Sequence, residues 1–146
     1  MFPRGYEDVV AGLGRGHLNE QYQIEVDGEI AVPAALIAAR GWRIERLAVV
    51  HTKGNSMYPT LYDGQPVVLN LDETRVLPDP TTGAPQIYAI EDADEGLRIK
   101  RLSRLNDRRI KVTSDNKNEL LYPDDFITSE STTRVVGRVC YRSGEL

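Results

Sequence analysis

The sequence predicts a mainly β domain with one short helix, and three observations lead there. Short runs of alternating apolar and polar residues recur along the chain, each bounded by Gly, Pro, Asn or Asp. Only one stretch, Pro33 to Gly41, carries helix punctuation at both ends. No internal repeat and no alternation of strands with long helical segments is visible, which argues against a parallel βαβ architecture. With 146 residues, 40% of them apolar and 27% charged, the chain has the material for one domain with a proper core and is short for two.

Residues 1–20 carry Gly5, Gly12, Gly14 and Gly16 with little periodicity and read as a linker segment, leaving residues 21–146 as the folded domain. Gln21 to Val26 alternates and reads as a strand. Asp27-Gly28 is a favoured two-residue hairpin turn, so Glu29 to Val32 is expected to return as the second strand. Pro33 opens a helix that runs to Arg40 and ends at Gly41, with Leu36 and Ile37 packing on the sheet. Trp42 then reads as a core or interface anchor. Leu47 to His51 and Val67 to Leu71 are strands, and Asp72 to Gln86, rich in Pro, Thr, Asp and Gly, is a surface loop. Ile87 to Ile90 and Leu97 to Leu105 form a strand pair around Glu91 to Gly96. Asn106-Asp107-Arg108 turns into a strand from Ile110 to Ser114. Polar turns come next at Asp115–Asn118 and Tyr122–Asp125, and Arg134 to Arg142 is the last strand.

The net charge of −4 argues against this chain itself gripping a phosphate backbone. Arg98, Lys100, Arg101, Arg104, Arg108, Arg109 and Lys111 alternate with apolar residues and read as a solvated sheet face. The single cysteine, Cys140, excludes an internal disulfide and reads as a small buried hydrophobe. With no signal peptide and no apolar run near the ~18 residues of a membrane span, the expected location is a reducing cytoplasm, without a membrane anchor. No Cys/His cluster has metal-ligand spacing, so neither a metal nor another cofactor is expected.

Two residues carry candidate chemistry. Ser56 stands between two apolar runs on a loop marked by Gly54, Pro59 and Gly64, where a nucleophile could sit. It would equally serve as a turn or helix-capping serine. Lys100 lies in Gly96 to Leu102. On a strand it shares a face with Leu102, so its stem would lie among apolar groups. A lysine desolvated in this way has a lowered pKa and can act as a general base. The alternative is a solvated lysine with a snorkelling stem. Serine with lysine is a known nucleophile–base pairing. His51 is near Ser56 in sequence, but the intervening strand and turn are expected to point the two apart, and His17 reads as exposed.

Four segments taken together go further. Gly54-Asn55-Ser56-Met57 with Pro59-Thr60-Leu61 and Asp63-Gly64, then Ile99-Lys100-Arg101-Leu102, then Ser114-Asp115-Asn116, then Val136-Gly137-Arg138-Val139, resemble in content and order the C-terminal domains of LexA-type self-cleaving repressors. Phage and prophage repressors are the nearest likeness, over roughly residues 45–142. The family pattern has Asp at the position of Asn55 and often Glu at that of Tyr58; Asn occurs in some repressors, and neither departure touches the serine or the lysine.

The resemblance implies a compact twisted β domain of the LexA and signal-peptidase kind. It implies Ser56 as nucleophile, Lys100 as general base, and the backbone N–H of Ser56 or Met57 as oxyanion donor. It implies a self-cleaved bond between small residues upstream, for which Ala11–Gly12 fits by residue type. It further implies a homodimer, latent cleavage in the SOS response stimulated by a RecA–single-stranded DNA filament, and contact with operator DNA only through an N-terminal helix-turn-helix domain that is absent from this sequence. Two other readings stay open: a dimerisation module that no longer cuts, and an accessory subunit of a mutagenic translesion polymerase.

Overall fold

The structure, a computed structural model, describes residues 23–142. Along them run β1 (Gln23–Val26), β2 (Ile30–Pro33), α1 (Ala34–Arg40), a single 3-10 turn (Ile44–Arg46), β3 (Leu47–His51), β4 (Pro66–Asn70), β5 (Ile87–Asp92), β6 (Gly96–Arg104), β7 (Ile110–Thr113), β8 (Asp125–Ile127) and β9 (Arg134–Arg142). The mainly β architecture with one short helix is the one the sequence predicts. The described residues fall into two compact units. The first holds residues 23–50, Pro66–Asn70 and 140–142; the second holds His51–Gln65 and Leu71–Val139.

In the first unit β1 and β2 form an antiparallel hairpin in which Val26 opposes Ile30 and Ile24 opposes Val32. Three residues therefore make the loop, and Glu29, expected in the returning strand, belongs to the turn. Asp27 and Gly28 both take left-handed φ values, 51° and 70°, and the Glu29 N–H donates to the Val26 carbonyl at 3.0 Å. Burial explains the register. Cross-strand partners share a face, so this pairing puts Val26, Ile30 and Val32 together in the core. A two-residue loop would oppose Val26 to Glu29 and turn Ile30 and Val32 to the wrong face.

The helix begins one residue later than expected. Pro33, at φ −58°, ends β2 and caps α1, and Gly41 closes it in the left-handed conformation with φ 70°. Ile37 points inward from α1. With Trp42, Leu47 and Val68 it joins the hairpin residues in one apolar cluster. The strands β3 and β4 are hydrogen-bonded neighbours.

In the second unit the strand order is β9-β5-β6-β7-β8, with antiparallel neighbours throughout. Val76, Tyr88, Ile90, Leu102 and Val112 make its core. The β5 and β6 strands run further than their apolar residues suggest, to Asp92 and from Gly96, leaving a three-residue turn. The irregular segment 72–86 is held by side chains reaching from the sheet. Tyr88 Oη donates to the Arg75 carbonyl at 3.3 Å. Arg138 Nε meets Glu73 at 2.5 Å, and Arg101 Nη1 donates to the Pro85 carbonyl at 2.5 Å. The short strand β8 starts at Asp125, inside the expected polar turn, and pairs with β7 through only three residues.

Candidate active site

The loop from Thr52 to Gln65 positions Ser56, and its own residues hold it shut at the base. Gln65 C=O accepts from the Thr52 N–H at 3.0 Å, and Thr52 C=O accepts from the Gly64 N–H at 2.9 Å. Thr52 Oγ1 accepts from the Gln65 N–H at 3.0 Å and donates to the Tyr62 carbonyl. The Asp63 carboxylate accepts from the Gly54 N–H at 2.7 Å, and Gly54 has φ 83°, a value that suits glycine. Met57 and Leu61, 3% and 1% exposed, anchor the middle of the loop. Their backbones are joined by a Leu61 N–H to Met57 C=O bond of 2.9 Å. The spacing of Gly54, Met57, Leu61 and Asp63 is thus the spacing of a self-bracing loop.

The turn after β7 ties this loop to β6, and each of its three residues makes a different tie. Asn116 donates its N–H to Ser56 C=O at 2.9 Å and its Nδ2 to Asn55 C=O at 2.9 Å. Asp115 accepts from Thr60 Oγ1 at 2.5 Å and pairs with Arg101 through bonds of 2.7 and 2.9 Å. Burial pushes the Asp115 carboxyl up, but the hydrogen bonds from Arg101 and Thr60 and the Arg101 charge outweigh it and hold the group below its ordinary value. Ser114 Oγ accepts a 2.8 Å hydrogen bond from Lys100 Nζ. The sequence marks Ser114-Asp115-Asn116 only as part of a resemblance. What each residue does there is not legible in it, because the contacts depend on strand register.

Lys100 sits on β6 opposite Tyr88 and on the face of Leu102, whose side chain is in the core. Its pKa is lowered, first by burial of the amine and then by the nearby Arg98 charge, with Glu95 and Asp125 acting the other way. The amine stands 5.8 Å from the centroid of the Tyr122 ring.

Ser56 and Lys100 line one cleft of about 630 Å³, together with His51, Ile99 and Tyr122 among others. The lysine amine bonds to Ser114, not to Ser56. Ser56 Oγ makes no hydrogen bond among the described residues, to His51 or to any other group. The N–H groups of Ser56 and Met57, expected as oxyanion donors, likewise donate to no atom among the described residues. Ala11, Gly12 and His17 lie outside the described residues. No group of three or more His, Cys, Asp or Glu among the described residues is arranged to hold a metal ion, and no described helix is long and apolar enough to cross a membrane.

One wall of the cleft is a strand edge. On one side β6 pairs with β5 along residues 96–101; on the other it pairs with β7 only along residues 101–104. The Leu102 N–H bonds toward the β5 side, to Gln86 C=O at 3.1 Å. By alternation, Leu97 and Ile99 turn their N–H and C=O groups away from β5, along an edge that no strand among the described residues pairs. Such an edge accepts an extended peptide. Leu121, 65% exposed, also lines the cleft, with Leu120 beside it in sequence at 95%.

Comparison with known proteins supplies what geometry does not. A family model described as Peptidase S24-like matches residues 6–140. An uncharacterized HTH-type transcriptional regulator of Haemophilus influenzae is 28% identical over 138 residues, which cover 93% of this chain and 53% of that protein. The chain therefore spans about half the length of the curated relative it matches.

Proposed function

The chain belongs to the Peptidase S24-like family, and from that premise we propose that it is the self-cleaving portion of an HTH-type transcriptional repressor, with Ser56 as nucleophile and Lys100 as base. The observation that carries this reading is the shared cleft: a serine whose hydroxyl bonds no group among the described residues, and a lysine whose burial and Arg98 neighbour favour the neutral amine.

The reaction is peptide hydrolysis within one chain. Neutral Lys100 takes the proton of Ser56 Oγ as that oxygen bonds to the Ala11 carbonyl carbon. The N–H groups of Ser56 and Met57 receive the developing oxyanion. The Ala11–Gly12 bond breaks, the Gly12 nitrogen takes the proton from Lys100, and an ester remains between Ala11 and Ser56. Lys100 then draws a proton from water as that water attacks the ester, and returns it to Ser56 Oγ as the ester C–O bond breaks; the freed Ala11 carboxyl ionises to solvent, and the serine hydroxyl and neutral lysine are restored. For the first step Lys100 Nζ, which bonds Ser114 Oγ in the structure, must come within about 3 Å of Ser56 Oγ. Because enzyme and substrate are one chain, proximity replaces a broad recognition pocket, and the edge at Leu97 and Ile99, unpaired among the described residues, offers main-chain partners to an extended segment.

The HTH-type relative supports the regulatory half of the proposal. In that reading a DNA-binding domain precedes these residues, the chain forms a homodimer that pairs two such domains on operator DNA, and the protein works in the cytoplasm. A RecA–single-stranded DNA filament then promotes cleavage, which parts the dimerising half from the DNA-binding half. The same relative weighs against a polymerase accessory subunit. Intact-mass spectrometry after alkaline incubation tests the cleavage. Loss of the first eleven residues from the unaltered chain, and from neither Ser56→Ala nor Lys100→Ala, is the expected result. Full cleavage in either variant refutes the pairing, and a cut at another bond that still needs Ser56 moves the site.

A further inference from the structure

The lysine amine's only hydrogen-bond partner among the described residues is a side chain to which neither the family match nor the chemistry above gives a role. We propose that Ser114 is a positioning residue for the lysine base, its hydroxyl fixing the Lys100 amine inside the cleft that Ser56 also lines.

Three observations support it. Lys100 Nζ donates to Ser114 Oγ at 2.8 Å, a full-strength hydrogen bond. A lysine side chain has four rotatable bonds, and this one has competing attractions: Glu95 at the β5–β6 turn and Asp125 at the start of β8, both lining the same cleft and both acting on the amine. Without a fixed partner the ammonium would be drawn toward those carboxylates and away from the serine. Finally, Ser114 is itself fixed. It comes directly after β7 and precedes Asp115 and Asn116, which bond Arg101, Thr60, Asn55 and Ser56. One turn thus sets the heights of the nucleophile loop and of the base together.

The hydroxyl also has a predictable electrostatic effect. It accepts from the amine, and an acceptor stabilises the charged form. Its removal lowers the Lys100 pKa further. The other charged and titratable groups of the cleft, Arg98 on β6 and Glu95 just before it, Tyr122, Asp124 and Asp125, His51 at the end of β3 and Lys53 from the serine loop, are unchanged by that substitution. A role that is only structural predicts the reverse. A loosened site admits water, relieves the burial of the amine and lets the pKa rise toward its ordinary value.

The inference rests on the proposed serine–lysine reading, and its test separates the two. The Lys100 amine is titrated by heteronuclear NMR in the full chain, in Ser114→Ala and in Ser114→Thr, and self-cleavage is followed against pH in the same proteins. Ser114→Ala is expected to lower the Lys100 pKa and to slow cleavage on the alkaline plateau on the order of 10–100-fold, the scale of a misplaced catalytic group. Ser114→Thr keeps a hydroxyl and is expected to restore both. An unchanged or raised pKa in Ser114→Ala overturns the proposal, as does an unchanged plateau rate. Absence of cleavage in the unaltered chain would sink the peptidase reading, while the titration would still decide whether Ser114 holds the amine.

Discussion

Lys100 is the residue at which stability and chemistry conflict. Its amine is charged in the unfolded chain up to the ordinary lysine value of 10.5, and burial lowers that value in the folded protein. Between the folded and unfolded values the unfolded state binds more protons, so this group makes stability rise with pH across that window. Below it, the folded protein carries the cost of a desolvated ammonium. Lys100→Met keeps the stem and removes the charge, and is expected to raise the midpoint of thermal unfolding at pH 7 by about 2–4 °C. The gain should shrink as pH climbs through the folded-state pKa. A thermal scan at pH 7 and pH 10 checks this; a fall in midpoint at pH 7 would mean that the amine stabilises the fold. Ser56 makes no such demand, since its Oγ has no partner to lose among the described residues.

Among elements, the turn after β7 joins the two halves of the site, and Asp115 is its strongest link. Its carboxyl is held below the ordinary value, so its contribution is present above pH 3.8 and is lost as pH falls through the folded-state pKa. Asp115→Asn removes the charge facing Arg101 and one of the two oxygens that accept from Arg101 and Thr60. It is expected to cost about 1.5–3 kcal/mol at pH 7 in a urea titration, with the difference closing in acid. This turn also marks how far the sequence can be read. The strands β3 and β9 fall on the expected residues, Leu47–His51 and Arg134–Arg142, because each is an apolar run with plain boundaries. The hairpin loop is one residue longer than Asp27-Gly28 suggests, because that pair signals a turn without fixing the pairing; the apolar faces of Val26, Ile30 and Val32 fix it. The strand β8 carries only Phe126 and Ile127 as apolar residues, too few for a pattern. Ser56 and Lys100 stand out in the sequence, one by its loop and one by its neighbour Leu102. Their convergence on one cleft depends on the pairing of β6 with β5 and β7, and so does the bond from Lys100 to Ser114 across fourteen residues.

For the molecule as a whole, the cleft lies entirely within the second unit, whose strands carry Lys100 and whose loop carries Ser56. The first unit has its own apolar cluster around Val32, Ile37 and Trp42. A repressor that grips a two-fold operator needs two copies, so the proposed function predicts a homodimer; sedimentation velocity at micromolar concentration reads it, and a monomer throughout that range would count against operator pairing. Whether Lys100 makes Ser56 a nucleophile can be read without waiting for any peptide segment to reach the cleft. A small phosphonofluoridate is incubated with the chain across pH, and its adduct is located by peptide mass mapping. The predicted result is an adduct on Ser56 that forms faster as pH rises through the Lys100 pKa, slowed on the order of 10²–10⁴-fold in Lys100→Ala. Labelling of Ser56 at the same rate in that variant, or no labelling of Ser56 at any pH, would contradict it.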